Sequence, residues 1–206
     1  DCAFHPDAIS GARTRLLELE MRGLAARIGS DSAPEAAKQA EIPAAQRIEL
    51  DSIEAVADAI KKAAPVKRFA LDAGETVQFA FSQEKYYEIV QGADLFCTPI
   101  DETVLYGALR PVLEDKNCEL LAFDTKRLRH LLDKFSIQLH ANVFDAMIAD
   151  YLLDATRPAT SFAMLAERIC PSQKPNAAML FSMQESMLRE LDEAHMTKLY
   201  TDMELP

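Results

Sequence analysis

The stretch FALDAGE, Phe69 to Glu75, is the part of the sequence from which the fold is read. Its apolar start predicts a buried strand, and this strand ends on a carboxylate, Asp72, with a second acid, Glu75, three residues on. Acids at the end of a buried strand suit a metal site, because hard divalent cations prefer oxygen ligands. The stretch therefore raises a choice between a working metal site and the remnant of one.

The segments around this strand predict a mixed sheet with helices. VKRFALD, TVQFAFS and KYYEIV are three strand candidates separated by a few residues, the pattern of an antiparallel meander. A strand at 47–50 and a helix from Asp51 or Ser52 to Ala64 precede them. Strands first, then one strand between helices, then helices alone predict an α+β or α/β domain. The later elements are expected at 101–114 (helix), 118–123 (strand, CELLAF) and 126–134, 143–153, 160–169 and 177–206 (helices).

The composition limits the kinds of protein that this chain can be. With 206 residues, 49% of them hydrophobic, it can form one domain with a sizeable core. The net charge of −11 repels a phosphate backbone unless a local basic stripe offsets it. The four cysteines and four histidines show no metal-ligand spacing, so reduced thiols and ordinary histidines are expected. The absence of a long apolar run or a leader favours a cytoplasmic protein without membrane contact.

Two segments precede the predicted domain. GARTRLLELEMRGLAARI, residues 11–28, has apolar residues at helical spacing and predicts an amphipathic helix. GSDSAPEAAKQAEIPAAQ, residues 29–46, is small, polar and proline-bearing, which is the composition of a linker. The chain begins at Asp1 without methionine, which suggests a fragment of a longer protein.

Several stretches together resemble one family. FDTKRLRHLLDKFSIQLHANVFDAMIADYLLD, followed by SFAMLAERI, resembles the second half of the 3′–5′ exonuclease domain of bacterial DNA polymerase I. KLYTDMELP at the end resembles the helix that passes into the polymerase domain of that family. LLELEMRGLAARI at the start resembles the helix that closes the preceding 5′-nuclease region. The stretches occur in the family's order and together span residues 12–206.

The resemblance implies a fold and a division of the chain. The fold would be ribonuclease H-like, of the α/β class, with a mixed sheet of about five strands flanked by helices. Residues 1–28 would end the 5′-nuclease region, 29–46 would be a linker, 47–190 would form the 3′–5′ exonuclease-like domain, and 191–206 would lead into the polymerase domain.

The same resemblance implies a two-metal site whose ligands can be checked one by one. Working members hold two divalent cations with four acids, and their first strand carries Asp-x-Glu with both carboxylates on one face. Asp72 matches the Asp, but Gly74 stands in the Glu position. Glu75 is the nearest acid, and it replaces the missing ligand only if the chain turns sharply at Gly74.

The other ligand positions also depart from the family's pattern. Leu128 falls at the metal-binding Asp of the second motif, and Asp124, four residues earlier, is expected to cap its helix. The third motif, Tyr-x-x-x-Asp on one helix face, is echoed only by Phe181 and Glu185. Phe181 is expected to pack in the core together with Met179, Leu180 and Met183.

Two further features are interpreted as structural. Asp145 matches an Asp that is not a metal ligand in the family, and it is expected to cap a helix that buries Met147, Ile148, Tyr151 and Leu152. The basic cluster Lys126, Arg127, Arg129 and His130 is interpreted as a solvated helix face in preference to a DNA-contacting patch.

Three hypotheses for the function follow. The preferred one is a catalytically inactive exonuclease-like domain, vestigial at Asp72, Gly74, Leu128 and Glu185, kept as a scaffold in a DNA polymerase I of replication and repair. The second is a residual metal-dependent exonuclease that uses Asp72, Glu75 and Asp124, with Glu185. The third is a non-enzymatic module that binds nucleic acid or a protein partner.

The preferred hypothesis carries expectations about cofactors and partners. No cofactor is expected in this fragment, whereas the parent polymerase would use Mg²⁺. DNA would be contacted through the parent polymerase, the domain would contact the polymerase domain of the same chain, and the isolated fragment would be a monomer.

Overall fold

The computed structural model describes residues 15–16, 19, 44–63, 67–90 and 100–205. The chain divides into two compact units, Asp1–Gln39 and Ala40–Pro206. In the first unit Arg15 and Leu16 are helical and Leu19 is exposed. The rest of the predicted amphipathic helix and most of the predicted linker lie outside the described residues.

The second unit is an α/β domain built on one mixed sheet. The six strands of the described residues have the order β1-β4-β3-β2-β5-β6. The elements are β1 (Gln46–Leu50), α1 (Ile53–Ala63), β2 (Arg68–Ala73), β3 (Val77–Ala80), β4 (Lys85–Ile89), α2 (Glu102–Leu113), β5 (Glu119–Ala122), α3 (Thr125–Asp133), β6 (Asn142–Asp145), α4 (Ala146–Leu153), α5 (Phe162–Ile169), α6 (Met179–Glu193), α7 (Thr197–Leu199) and a π-helical turn (Tyr200–Glu204).

The strand directions confirm the predicted meander and add parallel strands on both sides of it. β2, β3 and β4 run antiparallel in succession. β1 pairs parallel with β4, while β5 pairs parallel with both β2 and β6. Parallel strands leave the sheet at the same edge, so the carboxyl ends of β2, β5 and β6 come together there.

Each face of the sheet carries its own hydrophobic core. Phe69 and Leu71 of β2 point into a core shared with α1, α2 and α3. Ala70 points to the opposite face, into a core shared with α4, α5 and α6. Since side chains alternate along a strand, Asp72 lies on the Ala70 face, toward α6.

The strand β6 was not predicted, and the helix expected at 143–153 begins only at Ala146. Val143 and Phe144 pair with Leu120 and Leu121 of β5, and Phe144 is buried. β-Branched residues such as Val143 and aromatic residues such as Phe144 favour strands. Pairing with β5 therefore outweighs the helical spacing of apolar residues in this segment. The described part of the chain therefore forms six strands, where about five were expected.

The helix expected over 177–206 is interrupted. α6 ends at Glu193, and His195 adopts a left-handed backbone conformation with φ 58°. The amide of Met196 donates to the carbonyl of Leu191 at 2.8 Å, which terminates the helix. The predicted domain boundary between residues 190 and 191 falls inside α6.

Two of the four cysteines lie within the described residues. Cys118 and Cys170 are buried free thiols, as predicted, whereas Cys2 and Cys97 lie outside the described residues. Within the described ranges, no helix has the length and apolarity that crossing a bilayer requires.

Candidate functional site

Three carboxylates lie near the edge of the sheet where β2, β5 and β6 end. Asp72 is the penultimate residue of β2, Asp124 follows β5, and Asp145 ends β6. This edge is where open α/β sheets bind ligands, at the carboxyl ends of their strands. The roles of the three acids nevertheless differ, because their hydrogen-bond partners differ.

Asp72 is a partly buried carboxylate directly opposite Gln78 on β3. Burial raises the pKa of the Asp72 carboxyl to about 6, and the guanidinium of Arg127 on α3 opposes this rise. The carboxylate makes no hydrogen bond to another described side chain or backbone amide. Its charged form is thus under-solvated and weakly compensated near neutral pH.

The turn after Asp72 brings no second ligand beside it. A Cβ atom at Gly74 would lie 3.3 Å from Oδ1 of Asp72, so the aspartate already occupies the space beside position 74. Residues 74–76 bend directly into β3, and Glu75 is exposed. A bend does occur after Ala73, yet it leaves the side chain of Glu75 exposed.

The second motif contributes packing and capping. Leu128 is buried in the core on the Phe69 face, which is the sheet face opposite to Asp72. Asp124 caps α3, as predicted, because its carboxylate accepts from the amide of Arg127 at 2.9 Å. The helix that carries a metal ligand in the family therefore presents a leucine to the core here.

The third motif lies at the other end of the sheet. The amide of Ala177, just before α6, donates to Oε1 of Gln78 at 3.2 Å, so α6 starts near Asp72. Glu185 is eight residues further along, about 12 Å by helical rise. There it is exposed and accepts from Gln83 at 3.2 Å, in the turn between β3 and β4. The echo Phe181-x-x-x-Glu185 thus points away from Asp72.

The partners of α6 around Glu185 support this direction. Gln184 donates to Glu119 at the start of β5 at 2.7 Å and accepts from Arg68 at the start of β2. The guanidinium of Arg68 also lies 5.2 Å from the ring centre of Phe181. Phe181 is buried together with Met179, Leu180 and Met183, which confirms the prediction that these residues pack in the core.

Asp145 joins α3 and α4 through the hydrogen bonds of its carboxylate. Its carboxylate accepts from the amide and hydroxyl of Thr125 at 2.8 and 2.6 Å, and from the amides of Met147 and Ile148 at 2.9 and 3.2 Å. The predicted cap of α4 is confirmed. Burial raises the pKa of Asp145 despite these hydrogen bonds. The expectation that α4 buries Tyr151 is wrong, because that ring is 51% exposed on the outer side of the helix.

Tyr200 completes the surroundings of Asp145. Its phenol accepts from the backbone amide of Asp145 at 2.8 Å and donates to the backbone carbonyl of the same residue at 3.2 Å. Thr125 and Tyr200 were missed by the sequence reasoning. They lie 20 and 55 residues from Asp145, and no local pattern signals such distant pairs.

The residues present do not fit a pair of divalent cations. Two metal ions held close together need several converging carboxylates to offset their mutual repulsion. Across residues 44–63, 67–90 and 100–205, no group of three or more His, Cys, Asp or Glu side chains is arranged to hold a metal ion. Asp72 stands apart from Glu185, and the carboxylates of Asp124 and Asp145 are engaged in helix capping.

Comparison of the sequence with known families gives a match to one domain model. The model of the DNA polymerase I ribonuclease H-like domain matches residues 76–173. Residues 76–173, just under half of the chain, are thus similar to the ribonuclease H-like domain of DNA polymerase I. The match includes β3 to β6 and α2 to α5, and it begins just after Asp72.

Solved structures show the same fold. The domain is similar to the catalytic core of RRP6 from Trypanosoma brucei, with a TM-score of 0.60 and 13% identity, over 78% of this chain and 51% of that one. It is similar to the POL domain of Pol1 from M. smegmatis in complex with DNA primer-template and dNTP, with a TM-score of 0.57 and 17% identity, over 78% of this chain and 30% of that one. For Escherichia coli RNase D the TM-score is 0.50 and the identity 14%, over 75% of this chain and 50% of that one.

One curated protein also matches part of the sequence. ATP synthase subunit delta from Sulfurihydrogenibium azorense is 31% identical over 84 residues, which is 41% of this chain and 46% of that subunit. The chain thus spans less than half the length of this relative, and about half or less of the three solved structures. The activity of each of these whole proteins is therefore not assigned to this chain.

Proposed function

We propose that this domain no longer degrades DNA and serves as a structural scaffold within a bacterial DNA polymerase I of replication and repair. The observation that carries the proposal is the spread of the candidate ligands. Asp72 lies at the carboxyl edge of the sheet, Glu185 lies toward the opposite edge, and Leu128 is buried on the other face.

The chemistry explains why this spread matters. In two-metal hydrolysis one cation generates the attacking hydroxide and the other stabilises the leaving oxygen, so both must be held by the same ligand cluster. A buried leucine cannot coordinate a cation, and an exposed glutamate two helical turns away cannot reach one bound at Asp72. The alternative of a residual exonuclease built on Asp72, Glu75 and Asp124 requires Asp124 to leave its cap on α3.

The proposal extends to the parent protein. DNA would be bound by the polymerase domain that the family places after this one, with Mg²⁺ serving that domain's reaction. The scaffold would contact that domain within the same chain, and the isolated fragment would be monomeric. A cytoplasmic location goes with this role.

A degradation assay tests the loss of activity. The fragment is incubated with 5′-labelled single-stranded DNA and millimolar Mg²⁺ or Mn²⁺, beside an Asp72→Ala variant purified in the same way. The expected result is no shortening of the DNA from its 3′ end above the level of the variant. Shortening that Asp72→Ala abolishes would refute the proposal and favour the residual nuclease.

A deletion tests the scaffold role separately. Residues 47–190 are removed from the parent enzyme, and polymerase activity and melting temperature are measured. We expect both to fall, because the polymerase domain loses the sheet packed against it. Unchanged values would reject the scaffold role while leaving the loss of nuclease activity intact.

A further inference from the structure

The two edges of the sheet differ in how their outward backbone groups are satisfied. Among the described strands, β6 forms one edge and β1 forms the other. At the end of β6 the amide and the carbonyl of Asp145 are both bonded to the phenol of Tyr200, at 2.8 and 3.2 Å. The C-terminal turn therefore covers this position of the β6 edge.

The hydrogen bonds between β1 and β4 fix which backbone groups of β1 face outward. The amide of Gln46 and the carbonyl of Leu50 bond to the residues just before and just after β4, at 2.8 and 3.0 Å. Because alternate residues of a strand bond to the same neighbour, Ile48 also faces β4, whereas the amides and carbonyls of Arg47 and Glu49 face outward. Within residues 44–63, 67–90 and 100–205 these four outward groups have no hydrogen-bond partner.

β1 lacks most of the features that keep another chain away from a sheet edge. Its five residues include no proline or glycine, and they pair one to one with β4, so no bulge twists the edge away. The strand does carry two exposed charges, Arg47 and Glu49, which form an ion pair with each other at 2.8 Å. Arg47 is also held by the carboxylate of Glu88, through two of its nitrogen atoms. The edge is thus open to a strand whose charges complement this fixed pair.

The side chains of β1 specify the chemistry of such a strand. Arg47 and Glu49 are exposed on one face, and Ile48 between them is half-buried on the other. Antiparallel pairing is the more stable arrangement per residue, and residues directly opposite each other then have Cβ atoms about 5 Å apart on the same face. A fitting strand, in the order from its amino end, has a base opposite Glu49, an apolar residue opposite Ile48 and an acid opposite Arg47.

We propose that β1 is a docking site for an extended segment of a protein partner with this base–apolar–acid sequence, which adds to the described sheet as a further strand. Its backbone bonds to the outward amides and carbonyls of Arg47 and Glu49. Strand addition takes its affinity from main-chain hydrogen bonds and its specificity from alternate side chains. Docking goes beyond the scaffold role and does not depend on it, because it uses none of the candidate metal ligands.

A segment of another protein fits this edge better than a second copy of the chain. β1 itself contains a base–apolar–acid sequence in Arg47, Ile48 and Glu49, so two copies could pair in register. Each copy, however, has a net charge of −11, and two such domains repel each other when they are brought edge to edge. A short extended peptide meets the edge without that repulsion.

Amide hydrogen exchange, followed by NMR on the whole isotope-labelled chain, tests the proposal residue by residue. The probe is the capped peptide Ser-Thr-Lys-Ile-Glu-Thr-Ser. One control peptide exchanges its charges, as Ser-Thr-Glu-Ile-Lys-Thr-Ser. The other is the probe with methylated backbone nitrogens at its Lys and Glu, which keeps every side chain and removes the two amides that would donate to β1.

We expect the amides of Arg47 and Glu49 to exchange rapidly in the free chain and to slow by about tenfold or more when the probe saturates the edge. The amide of Ile48 should change little, because it is already bonded to β4. The charge-exchanged peptide should bind about threefold or more weakly, since both cross-strand pairs become repulsive. The methylated peptide should not bind.

A pair of variants tests the edge from the side of the protein. Glu49→Pro removes one outward amide at a position where an edge strand tolerates proline, and Glu49→Ala removes the same side chain but keeps the amide. We expect Glu49→Pro to lose binding of the probe and Glu49→Ala to retain it with reduced affinity. Melting temperatures establish that both variants fold. If Glu49→Pro melts early, the methylated peptide makes the same test with the wild-type chain.

Several results would overturn the proposal. Failure of the probe to bind saturably, equal affinity for the probe and either control peptide, or equal binding by the two variants would each show that β1 does not accept this strand. Slow exchange of the Arg47 and Glu49 amides in the free chain at every concentration would mean that the chain covers its own edge. Protection that grows with protein concentration would assign the edge to a second copy.

Discussion

At the scale of single residues, Asp72 is a partly buried acid with few compensating partners among the described residues. It lies opposite Gln78, beside the space above Gly74, and only Arg127 acts to lower its pKa. In a working two-metal site the cations would offset the cost of burying such a carboxylate. Here that cost remains in the folded protein as a destabilisation at neutral pH.

Replacing Asp72 with Asn should therefore stabilise the domain at pH 8. The pKa of Asp72 rises from 3.8 to about 6 on folding, so the folded protein disfavours the charged form by up to about 3 kcal/mol. This penalty is complete above pH 6, shrinks as the pH falls through the folded pKa, and is absent below about pH 3.8. The gain of Asp72→Asn in free energy of unfolding should follow the same course.

Urea denaturation at a series of pH values measures this gain. Glu75→Gln, which removes an exposed acid three residues away, is the matched control and should change stability little. A destabilising Asp72→Asn at pH 8 would mean that the carboxylate has a favourable partner in the folded chain.

At the scale of elements, three pieces of the domain meet at the end of β6. Asp145 caps α4, holds the first residue of α3 through Thr125, and offers its backbone to Tyr200 of the C-terminal turn. The ring of Tyr200 also packs near Phe144, with 5.9 Å between ring centres. The turn that follows the interruption at His195 is thereby fastened to the sheet edge.

Removing the hydroxyl of Tyr200 should weaken the attachment of the C-terminal turn to the sheet edge. Tyr200→Phe leaves the buried amide and carbonyl of Asp145 without their partner, which costs about 1–3 kcal/mol of unfolding free energy. Tyr151→Phe removes the hydroxyl of an exposed ring and serves as the control. Equal denaturation midpoints for the two variants would show that the Tyr200 hydrogen bonds contribute nothing.

At the scale of the whole molecule, the sheet has two cores and its candidate ligands are distributed between them. The core on the Phe69 face takes Leu128, while the core on the Ala70 face takes Phe181. Leu128, at a position where the resemblance implies a metal ligand, and Phe181, at the position of the family's tyrosine, thus both pack in a core of the domain. The buried apolar surface that these residues add stabilises the domain, as expected of a scaffold.

Divalent cations should accordingly leave the stability of the fragment unchanged. A ligand that binds only the folded state raises the melting temperature by mass action. We expect 5 mM Mn²⁺ to shift the melting temperature by less than about 1 °C, and calorimetric titration to show no saturable heat. A saturable shift that disappears in Asp72→Ala would contradict this expectation.

Much of this architecture was accessible from local pattern. The strands flanking FALDAGE, the caps at Asp124 and Asp145 and the burial of Phe181 all follow from periodicity and short-range hydrogen bonding, which the sequence expresses directly. β6 and the interruption at His195 did not follow, since one depends on pairing with β5 and the other on how the exit turn packs.

Local pattern predicts the meander and a domain of the α+β or α/β class, because these follow from spacing within elements and from their order. The resemblance to the family adds the α/β fold and the departure of Gly74 and Leu128 from the ligand pattern, since each of these two positions is compared by residue type. The position of Glu185 away from Asp72 and the hydrogen bonds of Tyr200 to Asp145 are visible in the tertiary structure alone. The physical reason is that these depend on the direction of α6 and on contacts between elements far apart in the chain. Local sequence does not encode those distances.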